Sequence, residues 1–182
     1  AVWFKDVWVP PFPNDSGSAI GMAATEALAS DFDYSLVWDV YSGPKLINNF
    51  VADGWNSKPM TLEELAIFLH RNPSSAVVFM HGRAEIGPRA LGHRSILMNP
   101  SLNQGQRLLN GMKGREAWRP VAPIALESDA ARIFSPGTPD PYMLYDHSIN
   151  EHFKTVMPAI VHLDGTARLQ TVGEFDCPVM FE

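Results

Sequence analysis

Arginines interleaved with glycines dominate the run His81-Gly82-Arg83-Ala84-Glu85-Ile86-Gly87-Pro88-Arg89-Ala90-Leu91-Gly92-His93-Arg94. A guanidinium offers a planar fork of donors that matches phosphate or carboxylate oxygens, and glycine lets backbone come close to a ligand. The same chemistry continues downstream. Between Arg83 and Arg119 lie seven of the 14 Lys/Arg residues: Arg83, Arg89, Arg94, Arg107, Lys113, Arg115 and Arg119. Only Glu85 and Glu116 oppose them, so this stretch carries +5 in a chain of net charge −6, and the remainder carries −11. Positive charge gathered against the overall balance points to an anionic ligand held locally. The bland alternative is a solvated loop with scattered surface arginines. Glycines at fixed points favour an oxyanion or phosphate cradle, although no Walker A pattern is present.

Three further groups could contribute. Lys113-Gly114-Arg115-Glu116-Ala117-Trp118-Arg119-Pro120 is a second basic cluster. Its Trp118 either stacks on a base or belongs to the core, with the core favoured, and Arg115 beside Glu116 reads as a surface pair. In Asp164-Gly165-Thr166-Ala167-Arg168-Leu169-Gln170, Arg168 follows a tight turn and is expected to share a strand face with Gln170. Asp15, in the turn Asn14-Asp15-Ser16-Gly17, is either a plain helix N-cap or a cation ligand beside a phosphate at the helix N-terminus. The six histidines show no His-x-x-x-His or Glu-x-x-His spacing, which argues against a zinc site built from this chain alone. No Gly-x-Ser-x-Gly elbow marks a serine nucleophile. Cys177 reads as a small half-buried thiol.

The elements that must hold these groups follow from local patterns. Val2–Val9 is expected to be a strand, stopped by Pro10-Pro11-Phe12-Pro13, and Ala19–Ser30 an alanine-rich helix. Residues 31–59 read as a connecting region with a domain boundary near 50–60. Thr61-Leu62-Glu63-Glu64 is a capping box that opens a helix ended by Pro73. Ala76–Met80 is expected to be a buried strand, Ser95–Met98 a second strand, Leu102–Met112 a helix weakened by two glycines, Val121–Leu126 a strand and Ser128–Phe134 a short helix. Residues 135–155 read as loop. Ala159–Leu163 and Ala167–Val172 read as a hairpin turning at Asp164-Gly165. The mixture is an α/β fold without strict alternation or repeats.

Composition sets outer bounds. A chain of 182 residues, 46% hydrophobic and 19% charged, suits one folded domain or one domain with part of another. No apolar stretch approaches a membrane span. One cysteine excludes a disulfide framework and fits a reducing, cytoplasmic setting. The acidic balance disfavours extended nucleic-acid binding. The start in mid-strand and the apolar end lead us to expect a piece of a longer protein.

The motifs match one family. Gly82–Leu97 closely resembles the Gly-Arg motif of the O-carbamoyltransferases of antibiotic and nodulation-factor biosynthesis, those acting on tobramycin, novobiocin and cephamycin precursors and the nodulation carbamoyltransferases. Lys113-Gly114-Arg115-Glu116 with Arg119-Pro120-Val121-Ala122-Pro123, then Asp164–Val172, look like its next blocks, and Pro13–Gly21 is similar to the loop ending its N-terminal domain. The resemblance implies that residues 1–50 are the C-terminal part of an actin-like (ASKHA) ATPase domain that transfers the carbamoyl group. Residues 51–60 would be a linker, and 61–182 a YrdC-like mixed α/β domain truncated at its C-terminal end. It implies an ATP-dependent enzyme in which the YrdC-like domain makes carbamoyl adenylate from ATP and carbamoyl phosphate. The actin-like domain, with a divalent metal (Fe or Mg), then passes the carbamoyl group to a hydroxyl of a secondary metabolite or oligosaccharide. Carried over by position, Arg89, Lys113, Arg119 and Arg168 would be catalytic. Arg83, Arg94, Arg115 and Gln170 would bind ATP or carbamoyl phosphate, and Asp15 would be a metal ligand whose histidine partners lie in the missing N-terminal half. The partners implied are small-molecule substrates and the missing N-terminal domain; a homodimer stays open. The 182 residues alone are expected to bind anions without turning over. The competing readings are a non-catalytic nucleotide- or RNA-binding YrdC-like module and a structural remnant with no ligand.

Overall fold

Thr61 and Glu64 nucleate the first helix of the main body. Thr61 Oγ1 accepts from the Glu64 N–H at 3.1 Å, and Glu64 Oε2 accepts from the Thr61 N–H at 2.9 Å. Each satisfies an orphan donor of the other's turn, so the capping box read from sequence is present. The helix, α2, spans Leu62–Arg71, with Glu63 and Glu64 in its first turn and His70 and Arg71 in its last, the arrangement favoured by the helix dipole. The chain is represented by a computed structural model that describes residues 5, 9–30, 39–47 and 53–182. Helix α1, Ser18–Ala29, precedes α2 and follows a 3-10 turn at Asp15–Gly17. The strand expected over Val2–Val9 falls almost wholly outside the described residues, as does much of the expected connecting region.

Strands β1 (Ala76–Met80) and β2 (Arg94–Met98) pair antiparallel, from Ala76 opposite Met98 to Met80 opposite Arg94. The Gly-Arg run, residues 81–93, is therefore the connection of a long hairpin. Strand β1 is not buried as expected: Val78 is 69% exposed and Met80 50%. Helix α3, Gly105–Met112, follows, starting later than Leu102 because Leu102 only accepts the Gly105 N–H in the preceding turn. Strand β3 covers Ile124–Leu126 alone; proline at 120 and 123 keeps Val121 out of the ladder. Helix α4, Glu127–Ile133, leads into β4, Phe134–Ser135.

The stretch 135–155 read as loop contains a strand, β5 (His147–Ile149), and a helix, α5 (Glu151–Val156). Both are too short for periodicity to reveal. The turn at Asp164-Gly165 forms, with Gly165 at φ +81° and the His162 N–H donating to Thr166 O at 2.9 Å. The expected hairpin does not form, however: a 3-10 turn at Pro158–Ile160 stands in Ala159–Leu163 in place of a strand, and the strand after Gly165 is broken in two. Strand β6 (Thr166–Ala167) pairs antiparallel with β5, whereas β7 (Gln170–Val172) pairs parallel with β3. The last helix, α6, is Pro178–Phe181. The architecture is mixed α/β with three small sheets, β1–β2, β3–β7 and β4–β5–β6.

The principal core gathers Ala130, Phe134, Ile149, Ile160, Ala167 and Leu169 where α4, the three-stranded sheet and the break between β6 and β7 meet. A second, smaller cluster joins Val40, Leu91 and Met143. Among the described residues no helix is long and apolar enough to cross a membrane. Phe134 is 1% exposed, so Phe134→Ala should lower the unfolding free energy by about 3–5 kcal/mol. Thr61→Ala, which removes only a cap, should cost about 1 kcal/mol. Urea unfolding of the two variants checks the ranking, and equal losses would contradict it.

Candidate functional site

One carboxylate shapes the loop that joins β1 to β2. Glu85 Oε1 accepts from the backbone N–H groups of Leu91, His93 and Arg94 at 2.7, 2.8 and 3.0 Å. Three charge-assisted hydrogen bonds on one oxygen fold residues 85–94 back on themselves. Two glycines give the path its shape, Gly87 at φ +104° and Gly92 at φ +103°. A Cβ on Gly92 would also meet Met180 Cγ at 2.9 Å and Cys177 Sγ at 3.0 Å, so this glycine serves packing against the C-terminal residues, not the approach of a ligand. Cys177 is fully buried there, not half-buried. Leu91 O is held from two sides, by Tyr41 Oη at 2.9 Å and by Gln170 Nε2 at 3.0 Å.

Arg94 and Arg83 belong to this framework. Arg94 Nη1 donates to His81 O and His93 O at 2.6 and 2.7 Å, and its Nη2 to Gly82 O at 3.1 Å, closing the base of the loop. Arg83 Nη2 donates to Ser42 O at 3.2 Å. Beside it, residues 40–46 run along 82–86, with Ala84 N–H on Pro44 O at 2.8 Å and Leu46 N–H on Gly82 O at 2.9 Å. The structure gives these two arginines a framework place: Arg94 spends its fork on three backbone carbonyls, Arg83 is exposed and commits one donor to Ser42 O, and neither is among the residues that line the cavity beside the loop.

Arg89 is different. It lines a cavity of about 470 Å³ together with Lys113, Arg115 and Arg168. Its Nη1 is buried and has no hydrogen-bond partner among the described residues. The rest of the wall is mostly apolar, from residues such as Leu69, Ile96, Leu109, Phe134 and Ile160, and among the described residues no Asp or Glu lines it. Three separate stretches of chain thus bring cations to one low-dielectric hollow. A guanidinium nitrogen buried without a partner is costly, and an anion would relieve that cost.

The loop after α3 is nailed down through amides. Asn110, fully buried, accepts from Arg115 Nε at 2.5 Å through Oδ1 and donates through Nδ2 to Ala117 O and Arg119 O at 3.1 and 2.8 Å. Gln106 Nε2 donates to Arg119 O at 2.8 Å. This anchorage puts Lys113 and Arg115 on the cavity and turns Trp118 and Arg119 away. Trp118 is 69% exposed, which overturns its core reading. Arg119 pairs with Glu116 at 2.6 Å and its Cζ lies 5.6 Å from the Trp118 ring centroid, outside the cavity. Arg115 bonds Asn110 and Pro120 O in place of the expected Glu116. Partial burial, and secondarily the Arg115 charge, hold the Lys113 ammonium below the usual lysine pKa.

Arg168 and Gln170 do not share a strand face, because β6 ends at Ala167 and β7 begins at Gln170. Arg168 lines the cavity, with Asp146 Oδ1 4.0 Å from its Nε. Gln170 is buried on Leu91 O and supports the loop from behind. Asp15 is exposed in the 3-10 turn, and the cap there is Asn14, whose Oδ1 accepts from Ser16 N–H at 3.0 Å. Asp15 offers one exposed carboxylate, and the further donors that a divalent cation needs would come from outside the described residues. Among the described residues no group of three His, Cys, Asp or Glu side chains is placed to hold a metal. Sequence reading missed Glu85 as a loop organiser, Asn110 as an anchor, and His162 as a cavity residue. Glu85 being the one acidic residue within the Gly-Arg run 81–94 was the available signal.

Residues 71–182 match the family described as Carbamoyltransferase C-terminus, and residues 1–24 match Carbamoyltransferase N-terminus. The chain is 56% identical over 170 residues to nodulation protein U of Rhizobium tropici, covering 93% of this chain and 29% of that protein. It is 38% identical over 179 residues to the 3'-hydroxymethylcephem-O-carbamoyltransferase of Amycolatopsis lactamdurans, covering 97% of this chain and 34% of the relative. It is 34% identical over 196 aligned residues to nodulation protein NolO of Bradyrhizobium diazoefficiens, covering 98% of this chain and 35% of the relative. The chain thus spans about a third of the length of these curated relatives.

Two outcomes follow from the geometry. Glu85→Ala leaves three N–H groups without their acceptor and should lower stability by about 2–4 kcal/mol. Glu85→Gln keeps an acceptor oxygen and should lose about half as much; denaturant midpoints decide, and equal losses would contradict the loop assignment. Lys113 must be protonated to attract a dianion, and its free-state pKa lies below 10.5. Phosphate affinity should therefore fall as pH rises through that lowered value, with proton uptake on binding, and Lys113→Arg should flatten the profile. Calorimetric phosphate titrations at several pH values on the full-length protein measure it.

Proposed function

This chain belongs to the carbamoyltransferase family, and from that premise we propose that its cavity binds carbamoyl phosphate and ATP and forms carbamoyl adenylate. The observation that carries the reading is the buried Nη1 of Arg89, which has no partner among the described residues, in a hollow with three further cations and, among those residues, no carboxylate. Atoms balance if carbamoyl phosphate, ATP and one water give carbamoyl adenylate, inorganic phosphate and pyrophosphate. The reaction brings two polyanions together. Their repulsion has to be offset by fixed cations, each worth about 4 kcal/mol against a unit charge at 4 Å in a partly desolvated site. Positioning and charge stabilisation suffice for such chemistry, and no protein nucleophile is required.

In this reading Arg89 grips phosphate oxygens, Arg115 is held rigid by Asn110, and Lys113 and Arg168 close the ring of charge. The body that carries them is the YrdC-like domain. Residues 1–50 belong to an actin-like domain, supported by the separate matches at 1–24 and 71–182 on either side of the proposed linker, 51–60. The carbamoyl group then passes to an acceptor hydroxyl, as the name of the cephem relative indicates for that protein. The setting is cytoplasmic. Cations drawn into one hollow, not strung along a groove, support a small ligand over RNA.

The test is ATP–pyrophosphate exchange by the full-length protein. Exchange should require carbamoyl phosphate, and Arg89→Met should reduce it by about 10²–10³-fold, the usual loss for one donor aimed at developing charge. Arg119→Met should retain most of it. Exchange that ignores carbamoyl phosphate, or an Arg89→Met variant of full activity, would sink the proposal.

A further inference from the structure

One polar group of the cavity has no place in an anion cradle. His162 lines the hollow with Arg89, Lys113, Arg115 and Arg168, and its Nε2 is buried with no hydrogen-bond partner among the described residues. Its protonation pattern follows from its neighbours. Thr166 Oγ1 lies 2.7 Å from Asp164 Oδ1. A carboxylate only accepts, so the threonine hydroxyl proton points to Asp164. Thr166 Oγ1 lies 3.2 Å from His162 Nδ1 on its other side. With its proton committed, that oxygen accepts, and Nδ1 carries the imidazole proton. Nε2 is therefore left as a bare lone pair. Burial, reinforced by the nearby Arg168, favours the neutral ring, while Asp146 and Asp164 oppose it. The Thr166 N–H also donates to Asp164 Oδ1 at 3.0 Å, which fixes the relay in the tight turn.

A lone pair is the wrong partner for a phosphate oxygen, since two acceptors repel. It fits an N–H donor. We infer that His162 Nε2 accepts a hydrogen bond from the carbamoyl NH2 of the bound substrate and so selects a carbamoyl phosphate over an acyl phosphate of the same shape. This rests on the carbamoyl-phosphate reading above and adds a specificity residue to it. The division of labour is chemical: guanidinium and ammonium groups hold the phosphate, and the imidazole reads the amide at its far end. Replacing the NH2 by a methyl group leaves Nε2 buried and unpartnered, the situation in which hydrogen-bonding sites discriminate strongly.

The experiment compares the KM of carbamoyl phosphate with the inhibition constant of acetyl phosphate, its methyl isostere, in the exchange reaction of the full-length protein. His162→Leu should raise the KM about 10–100-fold. The acetyl phosphate constant should stay within about twofold, so the preference collapses. His162→Gln, whose Oε1 can accept an N–H, should recover most of the preference. Thr166→Val removes only the acceptor that fixes the tautomer and should lower the preference severalfold; it decides the matter if His162→Leu does not fold. Equal changes in both constants, or an intact preference in His162→Leu and Thr166→Val, would overturn the assignment of His162 alone. A wild-type protein that binds inorganic phosphate but shows no carbamoyl-phosphate-dependent exchange would overturn the parent reading, and this inference with it.

Discussion

The Glu85 carboxylate, accepting the N–H groups of Leu91, His93 and Arg94, fixes the path of the chain that carries Arg89. Residues 81–93 have no strand or helix to hold them, so their backbone donors need another acceptor. One oxygen supplies it for Leu91 and His93, and for Arg94 where β2 begins. Tyr41 and Gln170 then fix Leu91 O from outside the loop, and Gly92 lets the turn press against Cys177 and Met180. The loop is consequently a rigid side wall of the cavity. Rigidity matters because a preorganised cation needs no reorganisation when charge arrives.

Arg89 lies in that loop and Arg94 five residues on, at the start of β2, and the two have opposite roles. Arg94 is surrounded by the carbonyls of His81, Gly82 and His93, which neutralise its hydrogen-bonding capacity and turn it into a clasp. Arg89 has an Nη1 with no such neighbour and faces an environment of apolar side chains. The same contrast separates Arg115, oriented by buried Asn110, from Arg119, paired with Glu116 beside solvent. Residue type set the candidates; carbonyl supply and burial selected among them.

The site was legible in outline because charge clustering is a property of the sequence. Seven cations in one stretch point to an anion pocket, the capping box at Thr61 is readable from spacing, and the strand at Ala76 from its apolar run, though not its exposure. What could not be read was direction. Arg168 and Gln170 have strand-like spacing, but the chain leaves one sheet at Ala167 and joins another at Gln170, so the pair diverges. Trp118 looked like core by its size, yet Asn110 and Gln106 grip the neighbouring carbonyls and leave its ring outside. The acceptor state of His162 depends on Thr166 and Asp164 being within hydrogen-bonding reach, a fact of turn geometry. Short elements such as β5 and α5 fall below the length at which periodicity carries information.

Convergence of Arg89, Lys113, Arg115 and Arg168 on a single bound anion is the central claim. A crystal structure of the full-length protein soaked in inorganic phosphate tests it most directly. Phosphate density inside the cavity, within hydrogen-bond distance of Arg89 Nη1 and of at least one of the other three cations, is the expected result. A cavity empty at saturating phosphate, with Arg89 turned to a protein carbonyl as Arg94 is, would contradict it.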